Sequence, residues 1–232
     1  MSEGPRRPEP GPLWVFGYGS LMWRPGFAAE RAVHARLVGW RRCFCIYSTH
    51  HRGSPARPGL VLGLDRGGAC EGIAYRVAPA DAAATLAYLR AREQINGVYR
   101  EAHLVVELED GSGEHVQALA FVVERAHPSY AGRLAPAEQA RLIRAACGRS
   151  GSNVDYLVNT LRHLRQLGVD EPELARVLTL VGPYFANASA ATDALVAACR
   201  RLPVTGPRMR PTDRRRFIHR RLMAERALER RG

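Results

Sequence analysis

The order of two periodic patterns constrains the fold of this chain more than any other feature. β-prone segments separated by glycine-rich turns dominate residues 13–123, and helical spacing of apolar residues takes over after Pro136. Strands followed by helices favour an α+β domain, here a small antiparallel β-barrel with flanking helices. The predicted strands are 13–18, 35–47, 60–64, 72–77, 103–108 and 116–123, and the predicted helices are 81–94, 136–147, 153–167 and 172–181.

The chain has a net charge of +12, and arginine supplies all of its basic residues. The charge is unevenly distributed along the sequence. All 34 basic residues are arginines, and residues 208–231 hold ten of them against three acids. Such a segment raises nucleic acid as a partner. Single-strand binding would require aromatic side chains among the basic ones, and this segment has only Phe217. A nucleic-acid-binding protein is therefore kept only as the alternative from a different class.

The length and composition predict one domain with two extensions. Residues 1–12, with four prolines and two arginines, are predicted to be a disordered leader. Residues 13–181 are predicted to be the folded domain, and residues 182–232 a basic helical or disordered extension. The five cysteines are irregularly spaced, and we find no signal peptide and no apolar run of about 20 residues. These features predict a cytoplasmic protein without a disulfide framework or a membrane segment.

The first candidate for chemistry is a strand that runs into a glycine turn. Its residues are Val15, Phe16, Gly17, Tyr18, Gly19, Ser20 and Leu21. Backbone N–H groups of such a turn can cradle a carboxylate or an oxyanion, because glycine permits close approach and positive φ angles. A plain turn explains the same residues. A dinucleotide fingerprint does not, because the third glycine and the following helical pattern are missing.

Glu93 is the second candidate, near the C-terminal end of the predicted helix 81–94. A glutamate in that place is ordinarily a solvated surface residue. It would suit a general base if burial raised its pKa toward neutrality.

Two other patterns are weaker. His50 and His51 follow Cys43 and Cys45, but the spacing fits no zinc template. Ser20 lies outside any Gly-x-Ser-x-Gly elbow, which argues against a serine hydrolase. We therefore predict no metal site.

Five short segments occur in one order within residues 13–181. They read WVFGYGSLMW (14–23), HRGSP (51–55) with PGLVLGLD (58–65), EGIAYR (71–76), RE (92–93) with GVY (97–99), and GRSGSNVDYL (148–157). Together they resemble the ChaC-type family of glutathione-specific γ-glutamylcyclotransferases. The sequence departs from that pattern at His50, where family members often have aspartate, and after residue 181, where no counterpart is recognised.

The resemblance implies a small β-barrel and an activity on glutathione that needs no metal or organic cofactor. It places γ-glutamyl binding on residues 15–21 and the catalytic carboxylate at Glu93. In such a reaction the α-amine of the substrate attacks its own γ-carbonyl, and 5-oxoproline and Cys-Gly are released. Glu93 would accept a proton and return it, and N–H groups of the turn would stabilise the oxyanion. Tyr18, Tyr99 and Tyr156 are candidate pocket hydroxyls, with core or rim aromatics as the alternative.

The predicted partner is accordingly a small molecule, with no membrane and no nucleic acid. Other γ-glutamyl amino acids or amines stay open as substrates of the same chemistry. A catalytically silent scaffold is a further alternative, and the presence of Glu93 argues against it. The sequence does not predict an oligomeric state.

Overall fold

A computed structural model describes residues 11–94 and 96–182 of the chain. Residues 183–232 of the predicted extension 182–232 and residues 1–10 of the predicted leader lie outside these ranges, so both stay predictions. Of the helices in the described ranges, none is long and apolar enough to cross a membrane.

Five strands form a closed barrel, which confirms the predicted fold class. They lie next to one another in the order β1-β3-β2-β4-β5, and β5 returns to β1. Every pairing is antiparallel except β1 with β5, which is parallel. The strands are β1 (Leu13–Gly17), β2 (Arg31–Ser48), β3 (Gly59–Val77), β4 (Tyr99–Leu108) and β5 (His115–Val123).

The second and third strands are longer than the sequence predicted. β3 has 19 residues and continues through Gly67 and Gly68, where a turn between two separate strands was predicted. Both glycines have positive φ, as does Gly39 on the facing strand, and the pairing register shifts between Val38 and Trp40. The glycines therefore form a bulge within one strand pair, and bulges bend long strands around a barrel.

Four helices and two minor elements complete the described fold. The helix prediction 172–181 matches the structure at both ends, and the other helices agree to within two residues at each end. A 3₁₀ turn (Ser20–Met22) after β1 and a short hairpin of β6 (Cys147–Gly148) and β7 (Gly151–Ser152) were not predicted. The helices are α1 (Pro79–Glu93), α2 (Pro136–Ala145), α3 (Asn153–Gln166) and α4 (Pro172–Val181).

Alternate residues of β1 divide between two buried clusters. Trp14 and Phe16 pack with side chains from the other four strands, which is the expected filling of a small barrel. Val15 belongs to a second cluster that joins the barrel to α2, α3 and α4. Tyr18, directly after β1, extends the first cluster, so the turn that follows β1 lies where the strand leaves the barrel.

Candidate active site

Glu93 is the last residue of α1, at the end of the helix where the chain turns toward β4. The fully buried Leu89, one turn earlier, fixes the helix on the protein. The Glu93 side chain is only 19% exposed, and its Oε1 lies 3.0 Å from Nε of Arg92. Burial raises the pKa of the Glu93 carboxyl, and the Arg92 guanidinium opposes that rise. A glutamate with a raised pKa is suited to accept and return a proton near neutral pH.

The three tyrosines predicted as pocket hydroxyls lie within electrostatic reach of this carboxylate. Burial raises the pKa of Tyr18, Tyr99 and Tyr156, and the charge of Glu93 adds to the rise in all three. The Tyr99 hydroxyl donates to the Leu62 carbonyl of β3 at 2.5 Å. The fold thus brings together one carboxylate and three phenols from four separate segments of the chain.

The glycine turn is held by its own backbone and by Tyr75. The amide of Met22 donates to the Gly19 carbonyl at 2.9 Å. The fully buried Tyr75 donates from its hydroxyl to the carbonyls of Leu21, at 2.9 Å, and Met22, at 3.1 Å. The 3₁₀ turn is therefore fixed at its C-terminal end by a side chain of β3.

Neither glycine of this turn adopts the positive φ angle that a glycine would permit. Gly19 has φ −125°, and Gly17 is likewise absent from the described glycines with positive φ. Close approach accounts for Gly17 instead, because a Cβ there would lie 3.1 Å from the Cβ of Leu21. A Cβ on Gly19 would meet only Leu62, at 3.9 Å.

The residues of the turn differ in which of their groups are available to a ligand. Val15, Phe16 and Leu21 are buried in the two core clusters, so only their backbone groups are available to a ligand. Ser20 accepts a hydrogen bond at 2.8 Å from Nη2 of Arg92, the residue that also contacts Glu93.

Arg92 therefore bridges the turn and the carboxylate, a role that the sequence analysis missed. Its Nη1 donates to the Arg24 carbonyl at 2.7 Å and to the Tyr88 hydroxyl at 2.9 Å. With Nη2 on Ser20 and Nε beside Glu93, the guanidinium is used on every side. The only sequence signal was its place directly before Glu93.

Arg42 is a second arginine that the sequence analysis missed. Its side chain is completely buried and donates to the carbonyls of Tyr18 and Glu71 and to the carboxylate of Glu171. Burial raises the pKa of Glu171, and Arg42 opposes the rise. Arg42 thereby anchors the glycine turn to β3 and to the start of α4.

The second of the five sequence segments (51–55 with 58–65) contacts the fifth (148–157) next to Tyr156. The side-chain oxygen of the fully buried Asn153 accepts from the Leu60 amide at 2.6 Å, and its nitrogen donates to the Leu60 carbonyl at 2.7 Å. Nη1 of Arg52 donates to the Ser150 carbonyl at 2.5 Å. Segments about a hundred residues apart in sequence are thus joined beside one of the three tyrosines.

The region suspected of metal binding forms ordinary contacts. The rings of His50 and His51 pack edge to face with their centroids 5.0 Å apart, and Nδ1 of His51 lies 3.1 Å from Oγ of Ser150. Within residues 11–94 and 96–182, no three histidine, cysteine or acidic side chains are grouped as a metal ion would require.

A solved structure from yeast, described as a γ-glutamylcyclotransferase specific to glutathione, shares this architecture. It superposes with a TM-score of 0.66 at 24% identity and covers 75% of this chain and 99% of its own. The closed barrel with its flanking helices is thus of the γ-glutamylcyclotransferase fold.

The chain belongs to the ChaC-like protein family, whose sequence model matches residues 13–184. The glutathione-specific gamma-glutamylcyclotransferase of Escherichia coli K12 is 38% identical over 181 residues, which are 78% of either chain. The human glutathione-specific gamma-glutamylcyclotransferase 1 is 34% identical over 178 residues, 75% of this chain and 80% of its own.

Proposed function

We propose that this protein is a γ-glutamylcyclotransferase that cleaves glutathione into 5-oxoproline and Cys-Gly. The observation that carries the proposal is the largely buried carboxylate of Glu93, which lies within electrostatic reach of three tyrosines and is linked through Arg92 to the glycine turn. The glutathione-specific activity for which the bacterial and human relatives are named supports the choice of glutathione as substrate.

The reaction is an internal displacement. The α-amine of the γ-glutamyl residue attacks the γ-carbonyl carbon, a C–N bond forms within a five-membered ring, and the amide bond to cysteine breaks. Both reacting atoms belong to one molecule, so holding the folded conformer lowers the barrier. No water is consumed.

Glu93 manages the protons of this exchange. Its carboxylate takes a proton from the attacking amine and gives it to the departing amine of Cys-Gly, so the enzyme returns to its starting state. Burial favours this exchange because it brings the carboxyl pKa closer to the working pH.

Arg92 is the positioning residue for Glu93 in this proposal. Its contact with Oε1 holds the carboxylate orientation, and its positive charge keeps the ionised form accessible despite burial. Its contact with Ser20 keeps the turn and the base in one arrangement.

The glycine turn binds the γ-glutamyl part and stabilises the developing oxyanion. Backbone N–H groups of residues 17–20 are the candidates, because donors fixed before the reaction need little reorganisation in the transition state. Tyr18, Tyr99 and Tyr156 line the same site and orient the substrate.

Incubation of the purified protein with reduced glutathione tests the proposal. We expect 5-oxoproline and Cys-Gly in equal amounts, measured by chromatography and mass spectrometry. A parallel incubation with γ-Glu-Ala separates glutathione specificity from general γ-glutamyl chemistry. Unchanged glutathione over a range of pH would refute the proposal.

A further inference from the structure

Arg52 lies beside the tyrosine cluster in a position fixed by two neighbours. Its Nη1 donates to the Ser150 carbonyl at 2.5 Å and to the Ser152 carbonyl at 3.3 Å, on the β6–β7 hairpin. Its guanidinium carbon lies 5.1 Å from the centroid of the Tyr156 ring. The hairpin and the ring together orient the guanidinium plane.

The other edge of that guanidinium has no protein partner in the described part of the chain. Nε and Nη2 of Arg52 form no hydrogen bond or ion pair with residues 11–94 or 96–182. These two atoms form the edge that grips a carboxylate with two parallel hydrogen bonds.

Two other arginines in this structure use that edge on a carboxylate. Arg90 holds the two oxygens of Glu101 with Nε and Nη2 at 2.7 and 3.0 Å. Arg141 holds Glu138 in the same way at 2.8 and 2.7 Å. Arg52 therefore offers a fixed carboxylate receptor, whereas the same edge of Arg90 and Arg141 is already occupied.

Tyr156 connects this receptor to the proposed catalytic carboxylate. Arg52 lowers and Glu93 raises the pKa of the Tyr156 hydroxyl, so both charges lie within electrostatic reach of it. The two residues after the γ-carbonyl of glutathione span about 7 Å when extended, at about 3.5 Å per residue. The substrate ends there in the carboxylate of its glycine.

We propose that Arg52 binds the glycine carboxylate of glutathione through Nε and Nη2 and is the residue that selects γ-glutamyl peptides with a C-terminal carboxylate. The inference rests on the proposed function and adds to it the recognition of the leaving half. A neutral leaving group, such as an amine or a peptide amide, loses this contact.

Paired substrates isolate that contact from any structural effect of the substitution. The two compounds are glutathione and its glycine amide, which has nearly the same shape but no C-terminal charge. The variants are Arg52→Gln and, as matched control, Arg57→Gln, which removes an exposed positive charge from the same loop. Damage to the hairpin would impair both substrates equally, whereas loss of the carboxylate contact impairs only glutathione.

We expect Arg52→Gln to lower kcat/KM for glutathione about 10- to 100-fold, mainly through KM, as for a lost hydrogen bond to a charged group. The glycine amide should change less than about threefold, and wild type should already disfavour the amide by a similar factor. Arg57→Gln should match wild type on both. Equal losses on the two substrates, or a wild type that does not distinguish them, would overturn the assignment.

Calorimetric binding of the same two compounds to Glu93→Gln, with and without Arg52→Gln, gives a second readout that needs no turnover. A charge-dependent affinity without any 5-oxoproline from wild type would refute the proposed function and support the role of Arg52. Turnover of glutathione by wild type, together with equal affinities for glutathione and its glycine amide, would support the proposed function and refute the role of Arg52.

Discussion

The Arg92 guanidinium contacts the Glu93 carboxylate, with Nε 3.0 Å from Oε1. The two residues are adjacent in sequence at the end of α1, where a helical pair would ordinarily diverge by about 100°. Contacts of Arg92 with Ser20 and with the Arg24 carbonyl bring its side chain back across the turn. The proposed base is therefore held by a residue that the glycine turn itself holds.

Replacement of Glu93 by glutamine should lower kcat by about 10²-fold to 10⁴-fold, the usual contribution of a general acid–base group. Glutamine preserves the shape but cannot carry the proton, so the affinity for glutathione should change little. Steady-state kinetics with 5-oxoproline as the product measures the rate, and calorimetry measures the affinity.

Glu101→Gln is the matched control for this experiment. Glu101 lies on β4 and is paired with Arg90 of α1. The hydrogen bonds from Arg90 lower the pKa of the Glu101 carboxyl, so Glu101 resembles an ordinary surface acid. Its substitution should leave kcat near the wild-type value. If the two variants retained similar turnover, Glu93 would not be the base.

The pH profile should respond to Arg92. Activity requires ionised Glu93, so kcat/KM should fall as pH drops through a carboxyl pKa that burial places above its ordinary value. Arg92 opposes that rise, and Arg92→Gln should therefore move the acid limb to higher pH, whereas Arg92→Lys should restore it in part. The ionisation of the substrate is common to all variants, so the difference between profiles reports the enzyme.

Arg90→Gln serves as the comparison because Arg90 is exposed on the same helix and pairs with Glu101 rather than Glu93. Its acid limb should coincide with that of wild type. An acid limb that Arg92→Gln leaves in place would show that Arg92 does not tune the base.

The general architecture was accessible from sequence because periodicity reports burial one segment at a time. The helix 172–181 and the order of strands before helices follow from such local patterns. The continuous β3 does not, because Gly67 and Gly68 signal a turn locally and become a bulge only when Gly39 of β2 lies opposite them.

The candidate site was accessible only through motif resemblance. Glu93 and the tyrosines Tyr18, Tyr99 and Tyr156 were named from their motifs, and their proximity depends on contacts between distant segments. The roles of Arg42 and Arg92 were not predicted, because nothing in local spacing distinguishes a buried arginine among 34 basic residues.

A methyl group should affect the two glycines of the turn differently. Gly17→Ala brings a Cβ within 3.1 Å of Leu21, and overpacking of this kind typically costs about 1–3 kcal/mol of unfolding free energy. Gly19→Ala meets only Leu62, at 3.9 Å, so its unfolding free energy should stay within about 0.5 kcal/mol of wild type.

Activity then tests whether the turn binds substrate. Gly19→Ala should raise KM for glutathione if the γ-glutamyl group approaches the backbone there, although the protein is as stable as wild type. Urea unfolding and steady-state kinetics on the same preparations give both quantities. An unchanged KM would remove Gly19 from the binding surface.

The buried pair of Arg42 and Glu171 should dominate the stability of the site. Arg42→Met leaves the Glu171 carboxylate without its cation and the Tyr18 carbonyl without its donor, and breaking such a pair typically costs about 3–5 kcal/mol. Removing both charges, in Arg42→Met with Glu171→Leu, should recover part of that loss, since no unpaired charge is then buried. Arg141→Met, at the exposed pair with Glu138, should leave the urea midpoint nearly unchanged.

The loss in Arg42→Met should also depend on pH in a defined direction. Without the arginine, burial and the charges of Glu71 and Glu173 all raise the pKa of Glu171, so its folded-state pKa rises further above the unfolded value of about 4.3. The folded state then holds a proton that the unfolded state releases, so stability falls as pH rises through that window. Urea midpoints should therefore differ less between Arg42→Met and wild type at about pH 4.5, close to the unfolded pKa, than at about pH 7. A difference that is constant over this range would mean that Arg42 stabilises the protein through its carbonyl contacts and not through its charge.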